Sequence, residues 1–429
     1  MNPQGLGPHG PGLVYRDGRL FFGDSALDEL AARFQTPLYV YNLDVARLRA
    51  KELQDGLADT SHLVCYAIKA NTSAAFVRLF LEFGFGTDVV SGGELLCARK
   101  AGVAADKIVF SGVAKTSEEI ELAVKEGVLS FNVESPGEIA KIRAAAKSQR
   151  RRPRISLRIN PDIDAKTHPK IATGLHATKF GLETSTAYEL AKSLVNDPDL
   201  DISGVSCHIG SQMLDLAPLE QAAHLVFSFA DSLRGLGIHI QSINLGGGLG
   251  VPYHPNDVAK APGIKRYGEM MARLMKNQQA QLILEPGRAL VAESGLLLTK
   301  VIEVKKTGKK TFIMVDSGMN DLVRPALYDA YHSIVPIWRR PNGDAETLGL
   351  VADIVGPVCE TGDVFATDRN VSSIKDGDLM AITHAGAYGF SMASHYNLRP
   401  KPAEVAISKS SMATIIRRRE TIEELLKSH

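Results

Sequence analysis

The sequence predicts an α/β protein built on a (β/α)8, TIM-like barrel, with an additional C-terminal all-β domain. Between residues 63 and 287, eight apolar runs typical of β-strands alternate with helical patterns. From about residue 290 onward, apolar-alternating runs are separated by turn residues and few helices are indicated. Eight β/α units in a row favour a closed barrel. Strand counting alone does not exclude an open doubly wound sheet.

The eight candidate strands lie at regular positions along the chain: 63–69, 86–91, 107–112, 129–134, 154–160, 201–209, 242–248 and 281–287. Helix starts between them are marked by Ser91, Thr116 and Ser135, each followed three residues later by glutamate. This pattern predicts a capping box, in which the hydroxyl and the carboxylate each accept a backbone N–H. Pro136 fits the first position of a helix.

The prediction divides the chain into four segments. Residues 1–12 are rich in glycine and proline and predict a disordered lead-in. The apolar run at 37–42 indicates that the segment 13–44 joins the β-domain. The barrel is expected to span 45–288, and the β-domain 289–429.

Composition excludes several function classes. Among 429 residues, Lys+Arg 49 against Asp+Glu 48 gives a formal net charge of +1, which predicts no partnership with nucleic acid or an anionic membrane. Four scattered cysteines suit neither a disulfide framework nor a CxxC metal site, so no metal is expected and a reducing, cytoplasmic setting is indicated. No apolar run has the length of a membrane span, and no signal-peptide pattern opens the chain.

Polar residues or glycines occur where nearly every candidate strand ends. Barrel active sites form at the C-terminal ends of the strands, so these residues are expected to share one pocket. They are Lys69, Asp88, Ser91, Glu134, Arg158, Asn160, His208, Ser211, the glycine-rich run 246–250, Glu285 and Arg288.

Lys69 ends a strand so apolar that both of its faces are expected to be buried. One interpretation is a lysine whose amine extends to solvent. The other is an amine whose pKa is lowered by desolvation, which suits it to form a Schiff base with a carbonyl. The residue type and its position leave both open.

Three further features have a similar double interpretation. The glycines at 246–250 form either a tight turn or a nest of N–H groups for a phosphate. A buried Glu285 needs a cationic partner, which could be Arg288 or a protonated pyridine nitrogen. His208 is either a core histidine or a ring that stacks on a planar cofactor. Together, an amine, a phosphate nest and a carboxylate match the needs of pyridoxal 5'-phosphate.

The motifs YAIKAN, HIGSQ, GGGLG, EPGR, CETGD and GAYG occur in this order, over roughly residues 36 to 400. In this respect the chain resembles fold-type III pyridoxal-phosphate decarboxylases, and most of all the members that act on meso-2,6-diaminopimelate. The resemblance implies an alanine-racemase-like barrel with a β-domain. It also implies a homodimer whose active sites are shared across the interface, with a small amino acid as substrate.

The resemblance implies cofactor-binding roles at matching positions. Lys69 would hold pyridoxal phosphate as a Schiff base, His208 would stack on its ring and Glu285 would pair with its nitrogen. The other cofactor-binding residues would be Asp88, Ser211, Gly246, Gly247, Gly248, Gly287, Arg288 and Tyr388.

It also implies the residues that contact substrate. Cys359 would be a catalytic residue, with Lys69 and His208, and would reach into the neighbouring subunit's site. Glu360 would bind the distal ammonium. Arg324 and Tyr328 are spaced i and i+4 and share a face on a helix. With Arg288 they would bind a distal carboxylate in the bidentate geometry that arginine favours. Tyr388 would contact the cofactor or the substrate.

The expected reaction is decarboxylation of meso-diaminopimelate to L-lysine, the last step of lysine biosynthesis. Decarboxylases of the same fold that act on ornithine, arginine or carboxynorspermidine are the main alternative. They differ in the substrate pocket: a decarboxylase of ornithine would need only the acidic residue, and not two arginines. A racemase would use a tyrosine in place of Cys359. A non-catalytic cofactor-binding protein would be expected to lack the lysine, the cysteine or the acid.

Overall fold

The computed structural model describes residues 6–7, 10–163, 179–339, 350–371, 374–409 and 411–427. The chain divides into two units. The barrel unit comprises Arg49–Val251 and Lys260–Ala289, and the β-rich unit comprises Met1–Leu48, Pro252–Ala259 and Leu290–His429.

Eight parallel strands close into a barrel. The first strand pairs with the second on one side and with the eighth on the other, so the sheet has no open edge. This closure confirms the (β/α)8 prediction and excludes the open sheet. In order, the strands are His62–Ala67, Gly86–Val89, Ile108–Phe110, Ser130–Val133, Arg154–Arg158, Asp201–Ser206, Ser242–Asn244 and Gln281–Leu284. All eight end before the predicted runs do, which leaves most of the polar residues on the loops that follow.

The barrel strands are connected by the helices Ala74–Leu81, Gly92–Ala101, Ser117–Glu126, Pro136–Gln149, Thr184–Ser193, Ala217–Gly235 and Ile264–Met275. Leu43–Gly56 precedes the first strand, and the short Arg288–Val291 follows the eighth. The hydroxyls of Ser91, Thr116 and Ser135 accept the predicted N–H bonds. Of these three caps, Thr116 alone forms a full capping box.

The glutamates of the other two caps act differently from the prediction. Glu94 accepts from the N–H of Val90, and Glu138 accepts from the N–H of Glu134. In each case the carboxylate reaches past the capping serine to the residue before it. The glutamate therefore ties the end of a barrel strand directly to the start of the next helix.

The β-rich unit contains a nine-stranded sheet. Its main path runs in the order Val364–Val371, Leu350–Val355, Lys310–Val315, Gly295–Thr307, Leu38–Asn42, Ala403–Ser408 and Ser411–Arg417. Off this path, Leu379–Ile382 pairs with Gly295–Thr307, and Ile334–Pro336 pairs with Leu379–Ile382. The N-terminal strand Leu38–Asn42 lies inside this sheet, which confirms that the β-domain takes in an N-terminal strand. Leu38, Val40, Leu296 and Leu298 are fully buried in its apolar core.

The N-terminal residues form further small sheets. Strands Leu13–Arg16, Arg19–Phe22 and Ser25–Ala26 pair in order, and Leu6–Gly7 pairs with Gly10–Pro11. Of the predicted lead-in 1–12, the structure describes these two short strands and Gly12, and Gly10 and Gly12 adopt positive φ angles that glycine favours. The rest of that prediction lies outside the described residues. Three short helices, Leu27–Phe34, Arg324–Tyr328 and Ile422–Leu426, complete this unit. Across the described ranges, the model contains no helix with the length and apolarity of a membrane span.

Candidate active site

Lys69 and Asp88 form an ion pair at the mouth of the barrel. Lys69 lies on the 3-10 turn Ile68–Ala70, directly after the first strand rather than within it. Its Nζ is 2.8 Å from Oδ2 of Asp88, and 37% of the lysine side chain is exposed. Asp88 is buried on the neighbouring strand, where it faces Ala67 in register. The amine is thus held by a buried carboxylate yet stays accessible from the barrel mouth.

Glu285 follows the eighth strand and is held by neutral groups. Its Oε1 accepts from Nδ2 of Asn244 at 2.6 Å, from Nδ2 of Asn132 at 3.0 Å and from the hydroxyl of Ser111 at 3.5 Å. No hydrogen bond to Oε2 is found among the described residues. Burial, reinforced by the charge of Asp88, raises the pKa of Glu285 to about 7. Asn132, Asn244 and Ser111 were not predicted from the sequence.

Arg288 was one of the two cationic partners considered for Glu285. Within the described ranges no ion pair joins them; instead Nη2 of Arg288 donates to Oγ of Ser211 at 3.0 Å. The turn that carries both residues packs on the Lys69 turn, because the carbonyl of Pro286 accepts from the N–H of Ala67. A Cβ on Gly287 would lie 3.0 Å from that of Ala70, so only glycine fits there comfortably.

His208 contacts the glycine turn. Its Nδ1 accepts the N–H of Gly247 at 3.3 Å, which places the ring proton on Nε2 if the imidazole is neutral. Burial, together with the charges of Arg158 and Lys69, lowers the pKa of His208 well below its ordinary value. The ring is therefore neutral at physiological pH.

The glycine turn accepts no side chain. Gly246 and Gly248 have φ angles of 65° and 102°, in the region that glycine favours. A Cβ on Gly247 would lie 2.3 Å from the carbonyl oxygen of Glu285. The turn therefore brings its backbone close to Glu285 and His208. The N–H of Gly246 donates to Oδ1 of Asn244 at 2.8 Å, and that of Gly247 donates to His208.

Two buried ion pairs support the barrel mouth and were missed by the sequence analysis. Nζ of Lys115 donates to Glu138 at 2.6 Å and to the carbonyls of Gly112 and Asn132. Arg158 pairs with Glu134 at 2.5 Å. Lys115 thus joins the loop after the third strand to the fourth strand, which carries Asn132.

The predicted residues Arg324 and Tyr328 belong to the β-rich unit. They begin and end the helix Arg324–Tyr328, as the spacing predicted. Arg324 is 4% exposed, so it is not a surface arginine. Its guanidinium stacks on the ring of Tyr253, with Cζ 4.2 Å from the ring centroid, and its Nη1 is 2.9 Å from Nε2 of His332.

Cys359 and Glu360 are exposed on a loop between the strands Leu350–Val355 and Val364–Val371. The N–H of Cys359 donates to Oδ1 of Asn397 at 3.1 Å, and the Tyr396 hydroxyl donates to Glu360 at 2.5 Å. Neither Asn397 nor Tyr396 was predicted. Tyr388, which was, adopts the left-handed conformation with a φ of 56° in the same unit.

The barrel mouth fits pyridoxal 5'-phosphate. Lys69 would supply an accessible primary amine for the aldehyde, and Glu285 would supply an acceptor for a protonated ring nitrogen. The turn at Gly246–Gly248 supplies a backbone cradle that any Cβ would fill. Each of the three requirements of the cofactor is met by a residue of the barrel unit.

Comparison with known proteins supports this chemistry. Residues 44–292 match the family model of the pyridoxal binding domain of pyridoxal-dependent decarboxylases. The chain is 44% identical to the diaminopimelate decarboxylase of Aquifex aeolicus, over 98% of each chain. It is 45% identical to that of Zymomonas mobilis, over 96% of this chain and 97% of the relative.

A solved structure shows the same fold. Diaminopimelate decarboxylase from Helicobacter pylori, complexed with L-lysine, superposes with a TM-score of 0.88 at 40% identity and covers 94% of this chain and 98% of its own. Since the similarity extends through both units, the chain belongs to the diaminopimelate decarboxylase family of pyridoxal-dependent decarboxylases.

Proposed function

We propose that this chain decarboxylates meso-2,6-diaminopimelate to L-lysine and carbon dioxide, with pyridoxal 5'-phosphate as cofactor, in the last step of lysine biosynthesis. The observation that carries the proposal is the similarity, over almost the full chain, to relatives named for this reaction. The L-lysine bound to the Helicobacter pylori relative agrees with it, because lysine is the product of the proposed reaction.

Lys69 is the proposed attachment point for the cofactor aldehyde. The bound cofactor supplies an electron sink for the carbon that loses carbon dioxide. Lys69 has to release its amine when substrate arrives, and Asp88, 2.8 Å from Nζ, can keep the freed ammonium in place. The exposure of the lysine side chain leaves room for the substrate amine.

Glu285 is proposed to keep the cofactor's ring nitrogen protonated. Its two amide partners and its serine partner all contact Oε1, which restrains the carboxylate, so Oε2 would be the oxygen left to accept a proton-bearing ring nitrogen. The buried site makes an unpaired carboxylate unfavourable, so a cation is strongly preferred beside it. His208, neutral and fixed by Gly247, suits stacking on the ring because it adds no competing charge.

The phosphate is proposed to bind at the glycine turn Gly246–Gly248, with the hydroxyl of Ser211 and the backbone at Gly287. The contact of Arg288 with Ser211 brings a guanidinium beside this anion site. Arg288 is also proposed to serve the distal end of the substrate, and Tyr388 to contact cofactor or substrate.

The distal end of the substrate carries both a carboxylate and an ammonium group, so its recognition is proposed to need both cationic and anionic side chains. Arg324, with Arg288 and the Tyr328 hydroxyl, would bind the distal carboxylate, and Glu360 would bind the distal ammonium. Arg324 is only 4% exposed, so a substrate carboxylate that reached it would meet a largely desolvated guanidinium, with which it would interact strongly. A decarboxylase of ornithine needs the acid only.

Cys359 is proposed to donate the proton that Cα receives after carbon dioxide leaves. We further propose a homodimer in which Cys359 and Glu360 act in the neighbouring subunit's site. The exposure of both side chains on their own chain supports this arrangement. All four cysteines are free thiols in the structure, which supports a cytoplasmic location.

The test is carbon dioxide release by the purified holoenzyme from a panel of substrates. We expect release from meso-diaminopimelate and little from L-ornithine, L-arginine or carboxynorspermidine. Lys69→Ala should lose both activity and the absorbance band of the covalently bound cofactor. A preference for any other member of the panel would refute the proposed substrate.

The variant Arg324→Ala tests whether the substrate pocket binds a distal carboxylate. If a distal carboxylate is bound, this variant should raise KM for meso-diaminopimelate about 10- to 100-fold, as for loss of a hydrogen bond to a charged group. An unchanged KM, with the cofactor band intact, would contradict distal-carboxylate binding by Arg324.

A further inference from the structure

The guanidinium of Arg324 rests on two aromatic side chains of the β-rich unit. Besides the stacking on Tyr253, it meets the imidazole of His332, which is fully buried. The rings of Tyr253 and His332 contact each other edge to face, with centroids 5.3 Å apart. Arg324 is thus positioned by a packed pair of rings rather than by a flexible side chain.

The hydrogen bonds of His332 define its protonation state. Arginine can only donate, so Nε2, 2.9 Å from Nη1 of Arg324, has to be the acceptor. Nδ1 lies 2.8 Å from the carbonyl oxygen of Thr383, which can only accept, so Nδ1 carries the proton. His332 is therefore a neutral imidazole in its Nδ1–H form.

The backbone of His332 is held as well. Its carbonyl oxygen accepts from Nη1 of Arg369 at 3.2 Å, and that guanidinium stacks on the ring of Tyr331, with Cζ 4.1 Å from the centroid. The strand Leu379–Ile382 immediately precedes Thr383, which fixes the acceptor for Nδ1. The imidazole consequently has little freedom to turn away from Arg324.

A neutral acceptor affects an arginine differently from a carboxylate. In the barrel unit, Glu134 holds Arg158 and also cancels much of its charge. His332 restrains the Arg324 guanidinium but contributes no negative charge. This contact therefore does not itself reduce the attraction of the guanidinium for an incoming anion, in a buried setting where charges interact strongly.

We propose that His332 is a positioning residue for substrate specificity: through its neutral imidazole it orients the Arg324 guanidinium to bind the distal carboxylate of the substrate. The inference rests on the proposed function, since it needs a substrate with that carboxylate. His332 touches neither the reacting carbon nor the cofactor in this role. It should act on substrate binding and leave the chemical step largely alone.

Two amide variants separate orientation of Arg324 from general packing. In His332→Gln, the side-chain oxygen can take the place of Nε2 and accept from Arg324. In His332→Asn, the shorter amide can still donate to the Thr383 carbonyl, as Nδ1 does, but cannot reach Arg324. His239→Asn, at an exposed histidine, is the matched control.

The experiment measures kcat and KM for meso-diaminopimelate with cofactor-loaded wild type and variants. We expect His332→Asn to raise KM about 10- to 100-fold with kcat within about threefold of wild type. His332→Gln and His239→Asn should keep KM within about threefold. The cofactor absorbance band should be the same in all four proteins.

Failure of the inference differs from failure of the proposed function. If wild type releases no carbon dioxide from meso-diaminopimelate, the function is wrong and the inference falls with it. If wild type is active but His332→Asn keeps the wild-type KM, or His332→Gln raises KM as much as His332→Asn does, the positioning role is overturned. A His332→Asn protein that lowers kcat or cofactor loading instead of raising KM also overturns it, because that result indicates a general structural role.

Discussion

The substitution Glu285→Gln removes a buried charge and keeps the shape of the side chain. Burial, with the charge of Asp88, raises the pKa of Glu285 from 4.5 to about 7. At 1.36 kcal/mol per pH unit, this difference corresponds to about 3.4 kcal/mol. The glutamine oxygen can still accept from Asn132 and Asn244, so the hydrogen bonds of Oε1 survive. The variant therefore isolates the cost of the charge.

The direction of the effect depends on pH. A carboxyl group whose pKa is higher in the folded chain binds its proton more tightly there, so its ionisation opposes folding. Below pH 4.5, Glu285 is protonated in both states and its ionisation carries no penalty. The penalty grows between pH 4.5 and about pH 7 and is complete above it.

Cofactor-free Glu285→Gln should therefore be more stable than cofactor-free wild type at pH 8, by up to about 3 kcal/mol. At pH 5 the difference should fall below about 1 kcal/mol. Urea unfolding followed by circular dichroism measures both values. Glu121→Gln, at an exposed glutamate, controls for loss of charge alone.

Bound cofactor should remove the stability advantage of Glu285→Gln, since a protonated ring nitrogen would compensate the negative charge of the wild-type carboxylate. Loaded wild type should then be at least as stable as loaded Glu285→Gln, and decarboxylation by the variant should fall sharply. If the two cofactor-free proteins show the same change in the free energy of unfolding between pH 5 and pH 8, the raised pKa of Glu285 is contradicted.

Two further predictions concern the barrel mouth. Gly247→Ala should weaken pyridoxal-phosphate binding at least about 10-fold in a titration, since its Cβ would lie 2.3 Å from the carbonyl oxygen of Glu285. Gly235→Ala, whose Cβ would have no atom within 4 Å, is the control. Equal cofactor affinities of the two variants would contradict a phosphate nest at this turn. Lys115→Met should lower the free energy of unfolding, measured by urea denaturation, by about 3–5 kcal/mol, because it leaves Glu138 buried without its cation. A loss no larger than that of Lys125→Met, at an exposed lysine, would refute this prediction.

The sequence could predict the barrel because its information is local. Each strand is an apolar run, and each helix start has a hydroxyl residue followed by a glutamate, so periodicity and capping are visible without any partner. Strand ends were harder. Lys69 was expected on the first strand but occupies the turn after it, since the strand leaves the ladder at Ala67. This shift keeps its amine at the barrel mouth.

The partners of Glu285 could not be predicted for a different reason. Asn132 and Asn244 lie within apolar strands, 153 and 41 residues from Glu285 in sequence. Only closure of the barrel brings them together, and one sequence does not reveal the register of that closure. An amide inside an apolar strand was the available signal, because a buried amide needs a hydrogen-bond partner.

Apart from Lys69, which pairs with Asp88, the buried charged groups described above are held in two distinct ways. Lys115 with Glu138, and Arg158 with Glu134, are buried pairs in which each charge meets its opposite. Such pairs stiffen the barrel mouth but have little attraction left for a ligand.

Glu285 is restrained instead by amides and a hydroxyl, and the imidazole of His332 restrains Arg324 without adding a charge. A neutral partner restrains an ionised group without itself cancelling that group's charge. Oε1 of Glu285 and Nη1 of Arg324 are thus held by groups that do not compete electrostatically with a ligand. Replacing a neutral partner with a charged one should therefore weaken binding. Asn244→Asp should weaken binding of the cofactor beside Glu285, and His332→Glu should weaken binding of the substrate by Arg324, even where the new side chain still reaches Glu285 or Arg324.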